Sequence, residues 1–151
     1  MNKVEVRKWI PEILAAGKSV WINSTGYSMY PTLKPSDKLK VEPIGFSFIK
    51  VGDIIAFEHN GVFIAHRVVE IQRNENTFIP IAKGDSVFKV IEVITEDNYL
   101  GKITARNRNG KDQFIFPRHK IGSWYTFYCW SRKKLNGYLQ VLTNNSFPCL
   151  F

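Results

Sequence analysis

Val6, Trp9, Ile10, Ile13 and Leu14 recur at the spacing of one face of an α-helix. Gly17 follows the last of them and suits a helix C-cap, where a left-handed backbone is needed. Pro11 has no N–H and fits best in a first helical turn, so the expected helix runs only from about Ile10 to Ala16. The pattern then changes to short β-prone runs: Ser19–Asn23, Lys38–Glu42 and the apolar Asp53–Phe57. Asn60-Gly61 predicts a tight hairpin from that last run into Val62–Ile71, and Asn109-Gly110 a second one between Gly101–Arg108 and Lys111–Phe116. Beyond Gly122, Trp124, Phe127, Tyr128, Leu135, Tyr138, Leu139 and Leu142 follow a loose helical stripe that Gly137 interrupts. No repeat or low-complexity linker divides the chain. The expectation is one mostly β (α+β) domain over 1–151: a helical lead-in at 1–18, a β core at 19–116 and an aromatic, basic C-terminal segment at 117–151.

A chain of 151 residues can bury a core without disulfides or metals. Its two cysteines, Cys129 and Cys149, form no C-x-x-C pair, which argues against zinc fingers and disulfide scaffolds. Three scattered histidines add no metal-ligand spacing, and no cofactor is expected. Met1–Lys8 alternates charged with apolar residues and leads into no apolar signal-peptide core. No run reaches the roughly 18 apolar residues of a membrane-spanning helix. A cytoplasmic protein, or one resting on a membrane surface, is expected.

Charge changes the picture only when it is divided along the chain. Residues 1–101 hold 12 basic and 12 acidic side chains; residues 102–151 hold nine basic ones and a single acid, Asp112. Ten of the 21 aromatic residues share that last segment. Rings interleaved with Lys and Arg suit an anionic membrane interface, though ten large side chains could equally close a core. Nucleic acid is not expected as a partner, because no recognition motif accompanies the charge.

The candidate chemistry lies in Gly26-Tyr27-Ser28-Met29-Tyr30-Pro31-Thr32-Leu33. Glycine permits a turn after the preceding strand, and Pro31 stiffens the loop that carries Ser28. A preset serine is what a nucleophile requires, although serine in a Gly/Pro loop is ordinarily a turn residue. The segment resembles the nucleophile motif G-x-S-M-x-P-T-L of the signal peptidase I and self-cleaving repressor clan of serine proteases. The resemblance continues in order through Asp37-Lys38-Leu39-Lys40-Val41, Val51–Phe57, Ala65-His66-Arg67-Val68-Val69, Lys83-Gly84-Asp85 and Gly101-Lys102-Ile103, spanning about 19–104.

The resemblance implies the coiled, barrel-like β-sheet of that clan and a serine endopeptidase acting on a peptide or leader sequence. Bacterial-type members use lysine as general base. Here the equivalent position is His66, as in the Ser/His type, and an imidazole accepts a proton near neutral pH without the burial a lysine needs. By the same resemblance Asp85 would orient His66, although the second acid usual a few residues later is missing from Ser86–Val90. Gly26 stands where some members carry an oxyanion hydroxyl, which leaves backbone N–H groups such as that of Ser28 to hold the charge. Met29 is a packing or subsite residue, and Asp37 and Asp53 are turn acids. Two other functions stay open: a self-cleaving regulator, with Ala16-Gly17 as the bond cut, and a non-catalytic binding module on the same fold.

Overall fold

The computed structural model describes residues 3–117 except residue 88, with side chains from Trp9 onward. The segment 118–151, with the basic aromatic stripe, both cysteines and His119, lies outside the described residues, and the membrane-docking expectation lies there with it.

Helix α1 spans Lys3–Ala15 and so runs straight through Pro11 instead of starting beside it. Pro11 forfeits one backbone bond, at a typical cost of about 3 kcal/mol in a helix interior. Ile10 before it and Leu14 after it are both buried, and burial of such side chains contributes about 1.5–3 kcal/mol each. The core therefore holds the helix on both sides of the proline. Trp9, expected in the same stripe, is exposed. Gly17 caps the helix as expected: its φ is +75°, its N–H bonds the Leu14 carbonyl at 2.9 Å, and the Lys18 N–H reaches Ile13 at 3.1 Å. These two bonds make a Schellman motif.

Among the described residues eight antiparallel strands follow: β1 (Val20–Asn23), β2 (Lys38–Glu42), β3 (Ile54–His59), β4 (Val62–Asn74), β5 (Thr77–Lys83), β6 (Ile91–Val93), β7 (Tyr99–Arg108) and β8 (Lys111–Phe114). They form one sheet in the order β1-β2-β7-β3-β4-β5-β6, with β8 beside β7. The described residues are thus mostly antiparallel β with one short α-helix. Both Asn-Gly turns take left-handed φ at both residues, at 51° and 74° for Asn60-Gly61 and 54° and 78° for Asn109-Gly110, the geometry a two-residue hairpin demands.

Strands β5 and β6 were not legible in the sequence. Pro80 speaks against a strand interior because it cannot donate to a ladder. In the structure the Pro80 carbonyl accepts the Ile94 N–H at 2.9 Å. In an extended residue the nitrogen points to the same side as the carbonyl, so no bond to β4 is lost.

Strand β3 is buried on both faces. Ile54 and Ala56 join a core with Ile10, Leu14, Met29, Leu33, Leu39, Val41 and Ile103; Ile55 and Phe57 join a second with Ile49, Val68, Ala82 and Ile94. The loop carrying Ser28 is rooted in the first core. His66 pairs with Ile55 across β3 and β4 and belongs to the face of the second. Among the described residues no helix is long and apolar enough to cross a membrane.

Candidate active site

The loop between β1 and β2 is closed at its base by backbone bonds from Ser24 to Asp37 and from Ser36 back to Ser24, both 2.8 Å. At its tip, Tyr30 N–H bonds Tyr27 and Leu33 N–H bonds Met29, at 3.0 and 2.9 Å. The side chains of Met29 and Leu33 are 3% and 1% exposed, so two anchors hold the turn and Ser28 stands half-buried between them. The Met29 side chain therefore packs into the first core. Gly26 is exposed, with open space where a Cβ would stand. The Ser28 N–H has no acceptor among the described residues.

A second loop, 84–86, presses on Ser28. Ser86 N–H bonds the Ser28 carbonyl at 2.8 Å. The Ser86 hydroxyl lies 2.7 Å from the Tyr27 carbonyl and 2.9 Å from that of Ser28. At Gly84, a Cβ would fall 2.7 Å from the Ser28 carbonyl oxygen and 3.0 Å from Nε2 of His66. Backbone of the Ser28 loop and the imidazole thus meet at one glycine.

His66 is 5% exposed. Its Nδ1 lies 2.8 Å from Oε2 of Glu92, and its ring meets Phe57 edge-on with centroids 5.9 Å apart. A carboxylate only accepts hydrogen bonds, so Nδ1 is the donor to an ionised Glu92, and in the neutral ring that leaves the lone pair on Nε2. That nitrogen, beside Gly84, has no partner among the described residues, and neither does the Ser28 hydroxyl. The two side chains are thus not hydrogen-bonded to each other in this structure.

Asp85 does not occupy the place expected for it. Its two oxygens each take a bond of 2.9 Å from the Arg67 guanidinium, and Oδ2 also accepts from the Thr32 hydroxyl at 2.5 Å. Arg67 reaches on to the Gly52 carbonyl at 2.9 Å. Asp85 is a clamp that ties the 84–86 loop to the loop carrying Ser28, and the acid on His66 is Glu92. The run Val90-Ile91-Glu92-Val93-Ile94, an acid inside a β-branched stretch, was the signal for it. Short of the β5–β6 register nothing tied that acid to His66.

Asp37 and Asp53 do serve as turn acids, accepting from the N–H groups of Lys34 and Lys50 at 2.8 and 3.0 Å. Asp53 also pairs with Lys102 at 2.8 Å. Burial pushes the Asp37 carboxyl up, but its bonds from Arg108 and Lys34, with the charges of Arg108 and Arg106, outweigh this and hold it below the ordinary range. Arg106 and Arg108 also donate to the Thr32 carbonyl. His59 is exposed beside its hairpin turn, as expected. Ala16-Gly17 is the helix cap described above. Among the described residues no group of three or more His, Cys, Asp and Glu side chains is placed to hold a metal ion.

Comparisons of the chain with protein families, with curated proteins and with solved structures find no match.

Proposed function

We propose that the chain is a serine endopeptidase of the signal-peptidase-like type, and that its sheet is the coiled β-sheet of that clan. One observation carries the reading: the Ser28 backbone and Nε2 of His66 meet at Gly84, with Nδ1 already engaged by a carboxylate. A serine on a rigid turn and a neutral imidazole in the acceptor tautomer are the two parts that acyl transfer needs. The Ser28 hydroxyl attacks a peptide carbonyl as its proton passes to Nε2. The tetrahedral oxyanion is met by backbone N–H, that of Ser28 first. His66 then hands the proton to the leaving amine, and water attacks the acyl-enzyme by the same route in reverse.

The substrate is an extended peptide. Strand β1 is an edge of the sheet and leads directly into the Ser28 loop, so its unpaired backbone can take up a further strand. The resemblance adds a preference for small residues next to the cut bond.

Labelling with a fluorophosphonate serine probe tests the reading, with the modified residue mapped by mass spectrometry. A single adduct on Ser28, lost in Ser28→Ala and strongly slowed in His66→Ala, is expected. An adduct elsewhere, or equal labelling of the His66→Ala protein, would overturn it.

A further inference from the structure

Strand β6 turns its apolar residues outward. Ile91 and Val93 are 60% and 56% exposed, whereas the Glu92 side chain between them is only 17% exposed. A three-residue edge strand that displays two β-branched side chains and tucks in a carboxylate gains little from apolar burial. Its sequence is explained by where the carboxylate goes.

The sheet register decides that destination. Val68 pairs with Ala82, and Ala82 pairs with Glu92, so the three share one face across β4, β5 and β6. His66 lies two residues before Val68 on β4 and projects to that same face. The resulting contact is the 2.8 Å approach of Oε2 to Nδ1. Asp85 makes no hydrogen bond to His66; its oxygens are engaged by Arg67 and Thr32.

We propose that Glu92 is the positioning residue of this centre. It holds the His66 ring in the tautomer whose Nε2 accepts a proton, and it offsets the imidazolium formed when Ser28 gives its proton up. For its effect on rate this rests on the peptidase reading; for the state of the ring it does not. A structural alternative exists, since an inward charge on an edge strand also discourages edge-to-edge pairing of sheets. In that case replacing Glu92 would alter self-association and leave the imidazole as it was.

The test compares the full chain with its Glu92→Gln, Glu92→Asp and Asp85→Asn variants. The ring nitrogens of His66 are read by 15N NMR, assigned against His66→Ala, and the fluorophosphonate probe measures Ser28 reactivity. The native ring is expected to show a protonated Nδ1 and an unprotonated Nε2. Glu92→Gln should move the ring toward the opposite tautomer, because an amide can donate to Nδ1, and should slow labelling by about 10²–10⁴-fold. Glu92→Asp, with a shorter reach, should recover part of both, and it stands in should the Gln variant fail to fold. Folded Asp85→Asn protein should keep the native ring signature. An unchanged ring signature in Glu92→Gln, whatever happens to self-association, would overturn the proposal. A native protein that takes no probe and cleaves no peptide, yet whose ring responds to Glu92→Gln, would overturn the peptidase reading and support the positioning role.

Discussion

The carbonyl oxygen of Ser28 and Nε2 of His66 both border Gly84, at 2.7 and 3.0 Å from where its Cβ would stand. Val87 closes the third side at 2.9 Å. Real Cβ atoms essentially never come within 3.0 Å of such atoms, so the Ser28 carbonyl and Val87 would have to shift, with the imidazole at the limit. The carbonyl belongs to the backbone of the proposed nucleophile, and Nε2 is its proposed base. Gly84 is not in the left-handed region, so space and not backbone conformation requires a glycine.

Gly84→Ala should therefore push the nucleophile loop and the imidazole apart. Overpacking of this kind typically lowers stability by about 1–3 kcal/mol, and a misplacement near 1 Å can reduce rate by about 10²-fold. Denaturant unfolding and probe labelling measured on the same preparation check both. A variant that labels at the native rate would mean that the contact does not position Ser28.

Ser28→Ala should abolish peptide cleavage, a loss of several orders of magnitude, and leave the melting temperature nearly unchanged. The fold should tolerate it because the loop is held by Met29, Leu33 and the bonds to its backbone, none of which uses the hydroxyl. Peptide hydrolysis together with a thermal melt distinguishes this from unfolding. Residual turnover that survives removal of contaminating proteases would disprove the assignment.

Asp85→Asn should act on stability. The Arg67 and Asp85 side chains are 5% and 1% exposed, and removing one partner leaves a buried charge without its counter-ion, typically at about 3–5 kcal/mol. Urea unfolding of the variant should show a midpoint well below that of the native protein. A near-native midpoint would show that water or another acid reaches Arg67.

The Asp37–Arg108 pair sets a pH limit on the fold. A carboxyl held below its ordinary value of 3.8 in the folded chain contributes stability that is full above the unfolded value. This contribution is lost as pH falls through the folded one. Thermal melts from pH 7 downward should therefore hold until about pH 4 and then drop. Asp37→Asn should start lower and lose less over that last interval. Parallel curves for the two proteins would remove Asp37 from the acid limb.

Local chemistry made part of this protein legible in advance. Asn60-Gly61 and Asn109-Gly110 announce their hairpins because few other residue pairs accept two left-handed conformations in succession, and Gly17 ends its helix for a related reason. Ser28 and His66 could be singled out because a motif of eight residues carries the first and an ordered series of short motifs the second. The helix through Pro11 and strand β5 through Pro80 could not be read this way. In both, local preference is overridden by neighbours distant in sequence: the core that buries Ile10 and Leu14, and the β6 side toward which the Pro80 nitrogen points. The assignment of acids was hidden for the same reason. By sequence, Asp85 and Glu92 are both carboxylates following His66, and Asp85 is the nearer. Which of them reaches the imidazole depends on the bulge between Val68 and Glu70 and on the pairing of Ala82 with Glu92. Sheet register is a property of three strands together, and no single stretch of the chain encodes it.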